Sequence, residues 1–237
     1  MKMSMVKEKI SVEEMASRFK KVASASIYDV LDKMGLGNQC LSLNIKPLRN
    51  DMRVSGQAFT VHGLRAIETD EEWQKMKPKF KDWGMFKAMH PHCIVVVNAE
   101  KERHCGHWGE MMSYTAKQYG ATGIVIDGGI RDGLGLLAIP DWPVFVRYTS
   151  PVESAKRWRP QDFQMPIFMS GTLSSQVKVS PGDWVVGDMD GVLIVPQEIA
   201  MEVLLRVEEV EDREDKSRRA LASGMPIREV YEKYGRL

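Results

Sequence analysis

The sequence predicts an α/β fold built on parallel strands, and segments in the middle of the chain carry the prediction. Cys93–Val97 and Gly123–Asp127 are uninterrupted apolar runs rich in β-branched residues, as in strands buried on both faces of a sheet. Between them, Gly109–Tyr119 has a helical pattern that stops at Gly120. A strand, a helix and a strand in this order make a parallel βαβ unit, and Pro143–Arg147 predicts a further strand.

Turn and capping residues divide the N-terminal third of the chain. Ser11 followed by Glu14 makes a capping box, which predicts that a helix starts there. A second helical pattern ends at Gly35 or Gly37, because glycine readily closes a helix. The apolar residues of this second pattern are Ile27, Val30, Leu31 and Met34. Ala58–Val61 predicts a short strand.

Two segments are unusually charged. Residues 66–87 are only weakly periodic, and we expect them to form an inserted helix and loop outside the core. A long helix is predicted from about Gln197 to Leu221 and is closed by Gly224. This helix offers little apolar face to its own chain, so it either packs on another subunit or is a solvated amphipathic helix.

Short strands separated by turns are predicted after residue 165. The turns are Pro181-Gly182-Asp183 and Asp188–Gly191. The strands are Gln176–Val179, Trp184–Gly187 and Val192–Val195. Since the chain has no repeat or clear linker, residues 1–237 are predicted to form a single domain, with a core at about 20–196 and a C-terminal helical arm at 197–237.

Composition narrows the class of protein. The 237 residues are 43% hydrophobic and 27% charged, which is ordinary for a globular protein, and the net charge of +1 gives no reason to expect nucleic acid or an anionic membrane as a partner. No stretch approaches the roughly 20 apolar residues of a membrane span, and the N-terminus lacks the apolar centre of a signal peptide. With only Cys40, Cys93 and Cys105, a disulfide framework is not expected, so we predict a cytoplasmic protein.

A chemically suggestive motif follows the second buried strand. Asp127-Gly-Gly-Ile-Arg131-Asp132 stands where that strand ends, and ligands of parallel sheets bind beyond such ends. Arg131 offers a fork for a carboxylate, and Asp132 offers a hard oxygen ligand for Mg²⁺ or Mn²⁺. On pattern alone, a glycine-rich turn with a local ion pair explains the segment equally well.

A second segment, Gly106–Met112, opens the predicted helix after the first buried strand. Backbone N–H groups at a helix start point toward an anion, so a substrate carboxylate could bind there. The alternative is a helix entry in which glycine only provides room to turn. By itself the segment is weak evidence of function.

Histidines and cysteines cluster between residues 90 and 107. The cluster contains His90, His92, His104, His107, Cys93 and Cys105. It raises the possibility of zinc, but the spacing matches no standard zinc finger. We favour the hypothesis that His104 or His107 faces the substrate as a polar or acid–base group.

Taken together, these motifs resemble the RraA-like family. That family has a Gly-acidic-Leu-Leu helix start followed by Arg-Asp a little over twenty positions after the glycine; here Gly109 and Arg131 are 22 positions apart. Further matches are Ser26–Asp32, Gly56–Val61 and Pro181–Pro196, so the resemblance covers about residues 20 to 225. Members include 4-hydroxy-4-methyl-2-oxoglutarate aldolases, and some have been labelled demethylmenaquinone methyltransferases.

The resemblance implies a role for each matching residue. Asp132 would hold Mg²⁺ or Mn²⁺, and Arg131 would bind the keto acid and stabilise enolate charge. The substrate carboxylate would meet the backbone at the start of the helix, where the matching residues are Gly109, Glu110, Met111 and Met112. Glu110 would also contact water bound to the metal. A glutamate from a neighbouring subunit would complete the site, and the candidates are Glu211 and Glu214.

The resemblance also implies an architecture and a reaction. The fold would be the swivelling β/β/α domain with N- and C-terminal helices, assembled as a trimer or a dimer of trimers. The reaction would be metal-dependent cleavage of a 4-hydroxy-2-keto acid to pyruvate, with oxaloacetate decarboxylation as a side activity. Pro91-His92-Cys93 replaces the family's usual Pro-Gly-Asp, and two methionines replace its aliphatic pair, which leaves the substrate open.

Other functions compete with the aldolase. A non-catalytic regulator that binds an RNA-degrading enzyme is the main alternative, although such members lack an acidic residue where Asp132 stands. A methyltransferase would need a glycine-rich loop after the first strand, and the chain has no such loop. A Schiff-base aldolase would need a lysine, and Lys117, the nearest in sequence, lies well inside a predicted helix.

Overall fold

A mixed sheet runs through the protein, and the parallel strands predicted from sequence lie at its centre. The structure is a computed structural model that describes residues 10–235. Its strands are β1 (Lys46–Pro47), β2 (Val54–Arg65), β3 (Cys93–Asn98), β4 (Gly106–Trp108), β5 (Ala121–Asp127), β6 (Gly129–Ile130), β7 (Val144–Val146), β8 (Tyr148–Thr149), β9 (Trp158–Phe163), β10 (Ile167–Ser170), β11 (Gln176–Val179), β12 (Trp184–Gly187) and β13 (Val192–Val195).

Helices flank this sheet and extend to both ends of the described chain. They are α1 (Val12–Phe19), α2 (Ser24–Lys33), α3 (Asp70–Met76), α4 (Gly84–Lys87), α5 (Glu110–Gln118), α6 (Gly133–Ala138), α7 (Ala200–Ala222) and α8 (Ile227–Tyr234), with 3₁₀ turns at Pro78–Trp83 and Gln197–Ile199. The predicted α/β class with N- and C-terminal helices is therefore confirmed. Within residues 10–235, no helix combines the length and apolar character that crossing a membrane requires.

The main sheet has the strand order β1-β7-β5-β3-β2-β12-β13, and β9 pairs with the outer part of β2. Strands β2, β3, β5 and β7 are parallel neighbours, which confirms the predicted βαβ unit. Strand β2 is much longer than the predicted Ala58–Val61, because it pairs with β12 at one end and β9 at the other. Strands β11, β12 and β13 have the predicted bounds.

Alternating side chains of the central strands supply two hydrophobic cores. Val95 and Val97 of β3 belong to one core, and Ile94 and Val96 belong to the other. All four are fully buried, as the uninterrupted apolar run predicts for a strand covered on both faces. A third core joins α1 and α2 to α7 and to the outer faces of β12 and β13.

The N-terminal helices begin and end close to their predicted positions. Ser11 is the N-cap of α1, and its hydroxyl accepts the backbone N–H of Glu14 at 3.1 Å. Helix α2 buries Ile27 and its apolar neighbours and ends before Gly35, whose φ of +78° is the left-handed conformation that glycine adopts without strain.

The inserted segment 66–87 was expected to lie outside the core, and this prediction is wrong. It does form helices and turns, but it is not outside the core: Trp73, Phe80 and Phe86 are buried in the same core as Val95. The ring of Phe80 lies 5.2 Å from that of Trp73 and 5.3 Å from that of Phe163. In the sequence, the charged residues between these aromatic residues mask the burial of the rings in the core.

Helix α7 was predicted to offer little apolar face to its own chain. Its first half has an apolar face that its own chain covers, and the buried residues there are Val203, Leu204, Val207 and Val210. Arg18 of α1 also forms an ion pair with Glu208 at 2.5 Å. The prediction of little apolar surface is therefore wrong for this half of the helix. Helix α8, which follows the break at Gly224, was not predicted.

A buried carboxylate fixes the end of β5. Asp127 accepts hydrogen bonds from Arg147 and from the backbone N–H of Ser170, and Arg103 donates to its backbone oxygen at 2.9 Å. Burial alone would raise the pKa of Asp127, but the bonds from Arg147 and Ser170 outweigh it and hold that pKa below its usual range. The charged form is therefore favoured in the folded protein.

We expect Asp127→Asn to lower the free energy of unfolding by about 3 to 5 kcal/mol, because it leaves the largely buried Arg147 without its anionic partner. Chemical denaturation at neutral pH measures the loss. The matched control is Asp212→Asn, which breaks the exposed ion pair with Lys216 and should cost less than about 1 kcal/mol. Equal losses in the two variants would contradict a special role for Asp127.

The same ion pair predicts a pH dependence. Because the folded protein lowers the pKa of Asp127, the stabilisation is complete above about pH 4 and is lost as the pH falls through the lowered pKa. The stability difference between the native protein and Asp127→Asn should therefore be constant near neutrality and shrink below about pH 4. Denaturation curves collected from pH 7 to pH 3 test this, and a difference that grows toward acid pH would refute it.

The packing of the insertion gives a separate prediction. Phe80→Ala should cost about 3 kcal/mol of unfolding free energy, because it empties a buried aromatic position. Trp83→Ala, at a ring that is 69% exposed in the same segment, should cost less than about 1 kcal/mol. Urea denaturation of both variants measures the two losses of unfolding free energy. A loss for Phe80→Ala as small as that for Trp83→Ala would restore the original expectation of a segment outside the core.

Candidate functional site

A small sheet of β4, β6 and β8 brings the two sequence motifs together. Gly106 and Trp108 pair with Gly129 and Ile130, and the backbone N–H of Arg131 donates to the oxygen of Trp108 at 2.9 Å. Each strand of this sheet is only two or three residues long. The start of α5 and the Arg131-Asp132 pair therefore lie side by side, although they are separated by more than twenty residues of sequence.

Gly109 lies close to the Arg131-Asp132 pair. A Cβ atom placed on Gly109 would lie 2.8 Å from Oδ2 of Asp132 and 3.2 Å from Cγ of Arg131. The backbone of Gly109 is extended, so the requirement for glycine here is the space that it leaves rather than an unusual conformation. Any larger residue would push the Asp132 carboxylate out of place.

These residues open onto a cavity of about 500 Å³. Its lining combines charged, aromatic and apolar side chains from several elements. The lining residues are Trp73, Gly106, His107, Trp108, Gly109, Met111, Met112, Arg131, Asp132, Glu153, Ser154, Ala155, Trp158, Arg159 and Pro160.

Asp132 presents an available carboxylate. Its backbone is left-handed, with φ of +59°, and it stands at the N-cap of α6 without forming a side-chain capping bond. Oδ1 lies 3.5 Å from Nε of Arg131, and the side chain is 42% exposed. A single accessible carboxylate suits Mg²⁺, which binds through one or two carboxylates and keeps several waters. The residues present therefore fit the predicted divalent cation.

Arg131 reaches between two carboxylates. Its Nη1 atom lies 3.7 Å from Oε1 of Glu153, in addition to its contact with Asp132. Both distances are longer than a good hydrogen bond, so the guanidinium retains donors for a further anion. Glu153 lines the cavity and was not identified from the sequence.

Helix α5 begins at the same cavity. Gly109 is its N-cap and makes no side-chain capping bond, and the N–H groups of the first turn have no partner within the helix. Met111 and Met112 line the cavity. The Glu110 side chain instead lies against Gly135 of α6, where an added Cβ would collide with its carboxylate, and it stands outside the lining. Glu110 thus contributes its backbone at the cavity edge.

His107 lines the cavity, but its ring nitrogens are engaged by protein groups. The backbone N–H of Gly129 lies 3.0 Å from Nδ1, and Nε2 lies 2.9 Å from Oε2 of Glu102, although poorly aligned for a hydrogen bond. Burial lowers the pKa of His107, so the neutral ring is favoured. The His104 ring is exposed and contacts the same carboxylate of Glu102. This geometry favours structural roles over the predicted acid–base role.

Of the histidines and cysteines that cluster in sequence, Cys105 and His107 also lie close together in the structure. Cys105 and His107 come together with Glu102, and one possible ligand atom from each lies within 4.8 Å of the others. By distance alone this triad could hold a metal. However, Glu102 already accepts the backbone N–H groups of His104 and Cys105, and burial raises the pKa of the Cys105 thiol to about 12. These contacts give the three side chains a structural role in the loop, with no need of a metal.

The candidate glutamates of α7 have partners in their own chain. Glu211 accepts the backbone N–H of Ala23 at 3.1 Å and the hydroxyl of Ser26 at 2.8 Å, so it binds the start of α2. Glu214 lies 3.5 Å from Arg218. Neither lines the cavity of its own chain. Their predicted contribution to a neighbouring subunit's site stays a prediction.

The fold and the cavity define a class: an α/β protein in which an arginine–aspartate pair and a helix start share one cavity, with room for a divalent cation and a small anion. The chain belongs to the RraA-like family, described as Aldolase/RraA, which its residues 24–194 match. The predicted resemblance and the predicted fold type are both confirmed.

Similar proteins carry different descriptions. "Putative 4-hydroxy-4-methyl-2-oxoglutarate aldolase" of Halalkalibacterium halodurans is 29% identical over 92% of this chain and 93% of its own. Streptomyces coelicolor RraAS2, described as an unusual member of the RNase ES inhibitor RraA family, superposes with a TM-score of 0.71 at 27% identity, over 86% of this chain and 96% of the other.

A further structure, described as novel cellulases from microbes associated with the gut ecosystem, has a TM-score of 0.78 at 34% identity, over 90% of each chain. The chain spans about a third of the length of one more relative, protein DlpA of Legionella pneumophila, with 27% identity over 89% of this chain. The family thus includes proteins named as aldolases and proteins named as inhibitors, so the activity of this chain is a matter for proposal.

The close approach at Gly109 gives a test of the site. We expect Gly109→Ala to weaken Mn²⁺ binding roughly 10- to 100-fold, the range typical of losing a group that orients a metal ligand. The reason is that the new Cβ would displace Asp132. Calorimetric titration with MnCl₂ measures the change.

Gly133→Ala is the matched control, because the nearest atoms to its new Cβ would lie at an ordinary 3.8 Å. It should bind Mn²⁺ as the native protein does. If the two variants bind Mn²⁺ equally well, the carboxylate of Asp132 does not hold the cation.

Proposed function

We propose that this protein is a divalent-metal-dependent aldolase that cleaves a 4-hydroxy-2-keto acid to pyruvate and a second carbonyl compound. The observation that carries the proposal is the convergence of Arg131, Asp132 and the start of α5 on one cavity. The names of relatives similar to this chain support the same reaction type.

Each part of the site has a role in the proposed reaction. Asp132 holds Mg²⁺ or Mn²⁺, which when bound supplies Lewis-acid stabilisation of the keto oxygen. The backbone N–H groups of Glu110, Met111 and Met112 receive the substrate carboxylate. Arg131 stabilises negative charge as it develops on the keto oxygen, from a position that the short sheet has already fixed.

The bond changes of the reaction are simple to state. The C4 hydroxyl gives its proton to a base, the C3–C4 bond breaks, and its electron pair stays with the three-carbon fragment as the enolate of pyruvate. The enolate then takes a proton at C3, and the remainder leaves as an aldehyde or ketone. Decarboxylation of oxaloacetate passes through the same enolate and is the expected side activity.

The base is assigned to a glutamate acting through water. The Glu110 carboxylate, the predicted candidate in this chain, lies against Gly135 outside the cavity lining. Glu211 or Glu214 of a neighbouring subunit is therefore the favoured source of the base. This arrangement requires a homo-oligomer, a trimer or a dimer of trimers. The three cysteines are free thiols, consistent with the cytoplasmic location that we propose.

A non-catalytic regulator of an RNA-degrading enzyme is the second candidate, and the likeness to RraAS2 favours it. A regulator acts through its surface and has no need of a cation ligand inside a cavity. The accessible carboxylate of Asp132 therefore supports the aldolase over the regulator.

The direct test is pyruvate release from a panel of 4-hydroxy-2-keto acids and oxaloacetate, with and without Mg²⁺ or Mn²⁺. We expect metal-dependent release by the native protein and at least a hundredfold lower kcat/KM in Asp132→Asn, since one ligand carboxylate is lost. Asparagine tolerates the left-handed backbone of this position better than alanine does, so the variant should fold. Asp132→Ala is the companion variant.

Two results would count against the proposal. One is release that does not depend on a divalent metal, and trapping with borohydride would then test a lysine Schiff base such as Lys117. The other is the absence of release from every compound by folded, metal-loaded protein, which would favour the regulator.

A further inference from the structure

The proposed reaction needs two proton transfers at different atoms of the substrate. The C4 hydroxyl loses a proton as the C3–C4 bond breaks, and C3 of the resulting enolate gains one. A glutamate of a neighbouring subunit is the favoured base for the first transfer. The second transfer needs a donor near the keto oxygen, because C3 is bonded directly to the carbon that carries this oxygen.

The arginines of the cavity cannot supply this proton. Arg131 and Arg159 both line the cavity, and a guanidinium group does not give up a proton in proteins. Arg159 also has other partners, because its guanidinium carbon lies 5.6 Å from the centre of the Trp73 ring and its Nη2 atom pairs with Asp70. The donor is therefore to be sought among the acidic and histidine side chains of the lining.

His107 and Asp132 are already engaged. The backbone N–H of Gly129 lies 3.0 Å from Nδ1 of His107, and Glu102 lies against Nε2 of the same ring. Asp132 is the proposed ligand of the divalent cation. Among the described residues that line the cavity, Glu153 then provides the remaining carboxylate.

Glu153 lies next to the arginine that the proposed mechanism directs at the keto oxygen. Its Oε1 atom is 3.7 Å from Nη1 of Arg131, which is too long for a good hydrogen bond and leaves the carboxylate available. A substrate whose keto oxygen meets Arg131 has its C3 close to this carboxylate, since C3 is two bonds from that oxygen. The Glu153 side chain is 65% exposed, so it can also exchange protons with water.

Backbone contacts hold residue 153 in place without using its carboxylate. The N–H of Gly106 donates to the oxygen of Val152 at 2.9 Å, and Gly106 forms an isolated parallel bridge with Glu153. Nη1 of Arg157 donates to the backbone oxygen of Glu153 at 3.2 Å. Because Gly106 belongs to β4, Glu153 is attached to the same small sheet that positions Arg131.

We propose that Glu153 carries the proton to and from C3 and is a second acid–base residue of the site. Cleavage leaves the electron pair of the broken bond on C3, and the carboxyl group of Glu153, protonated by water, gives its proton to C3 and becomes a carboxylate. The hydroxide left by that water is neutralised by the proton that the neighbouring subunit's base releases. In the reverse direction, the carboxylate removes a methyl proton from pyruvate. This inference rests on the proposed aldolase function and adds to it a catalytic residue within the chain itself.

The experiment compares two routes to the same enolate, both in the presence of Mg²⁺. Exchange of the pyruvate methyl protons with D₂O, followed by NMR, requires removal of a proton from C3. Decarboxylation of oxaloacetate, followed as release of CO₂, forms the enolate by breaking a carbon–carbon bond and needs no base. We expect Glu153→Gln to slow the exchange roughly 100- to 10,000-fold, the range for loss of a general acid–base group, and to leave decarboxylation close to the native rate.

Companion variants separate proton transfer from a structural effect. Glu153→Asp keeps a carboxylate on a shorter side chain and should retain part of the exchange. Asp132→Asn should lose both reactions. Glu100→Gln is the matched control, because this exposed glutamate lines other cavities, and it should change neither reaction. Thermal unfolding confirms that each variant is folded.

The outcomes distinguish Glu153 from the aldolase itself. Exchange at the native rate in Glu153→Gln, or pyruvate release by the native protein without any exchange, overturns the role of Glu153 and leaves the aldolase standing. An equal loss of both reactions in folded Glu153→Gln also overturns that role, since Glu153 then only orients Arg131. A native protein that shows neither exchange nor pyruvate release from any substrate overturns the aldolase and the role of Glu153 together.

Discussion

The buried carboxylate of Asp127 is the constraint on which the site depends. It stands at the carboxyl end of the central strand β5 and binds Arg147, the backbone of Ser170 and, more loosely, Arg103. These contacts tie the loop after β3, the residue that follows β7 and the end of β10 to a single point. Because removing one partner of a buried ion pair is costly, the direction in which the chain leaves β5 is fixed before it reaches Arg131 and Asp132.

That fixed direction explains how two distant motifs become one site. Immediately after Asp127, the chain pairs as β6 with β4 and places Arg131 against the backbone of Trp108. Backbone hydrogen bonds, and not the side chains of Arg131 and Asp132, thus bring Gly109 beside Asp132. The Asp132 carboxylate and the Arg131 guanidinium keep only long, weak contacts with each other, which leaves both free for ligands. Because backbone hydrogen bonds hold this site together, its charged side chains can lack strong partners with little loss of stability.

Sequence reasoning identified the parts of the fold that have a strong local signal. The apolar runs of β3 and β5 require burial on both faces, and the spacing from Gly109 to Arg131 matches a known family pattern. The sequence does not reveal β9, and with it Arg159, because the strand contains Pro160 and its polar residues do not alternate with apolar ones. It misjudged the insertion because Trp73 and Phe80 are scattered among charges, and only long-range packing on Phe163 reveals their burial. Contacts between residues so far apart in sequence leave no signal in the local pattern of apolar residues.

The insertion also contributes to the wall of the cavity. Trp73 belongs to the same hydrophobic core as β3, and it also lines the cavity. Its partner Arg159 lies on β9, at the edge of β2, whereas Arg131 and Asp132 follow the buried end of β5. The groups proposed for carbon–carbon cleavage and the wall formed by Trp73 and Arg159 therefore belong to separate parts of the fold. Substitutions in α3 or β9 can change the shape of that wall while the geometry set by Asp127 stays intact, provided that the aromatic packing of the insertion is kept.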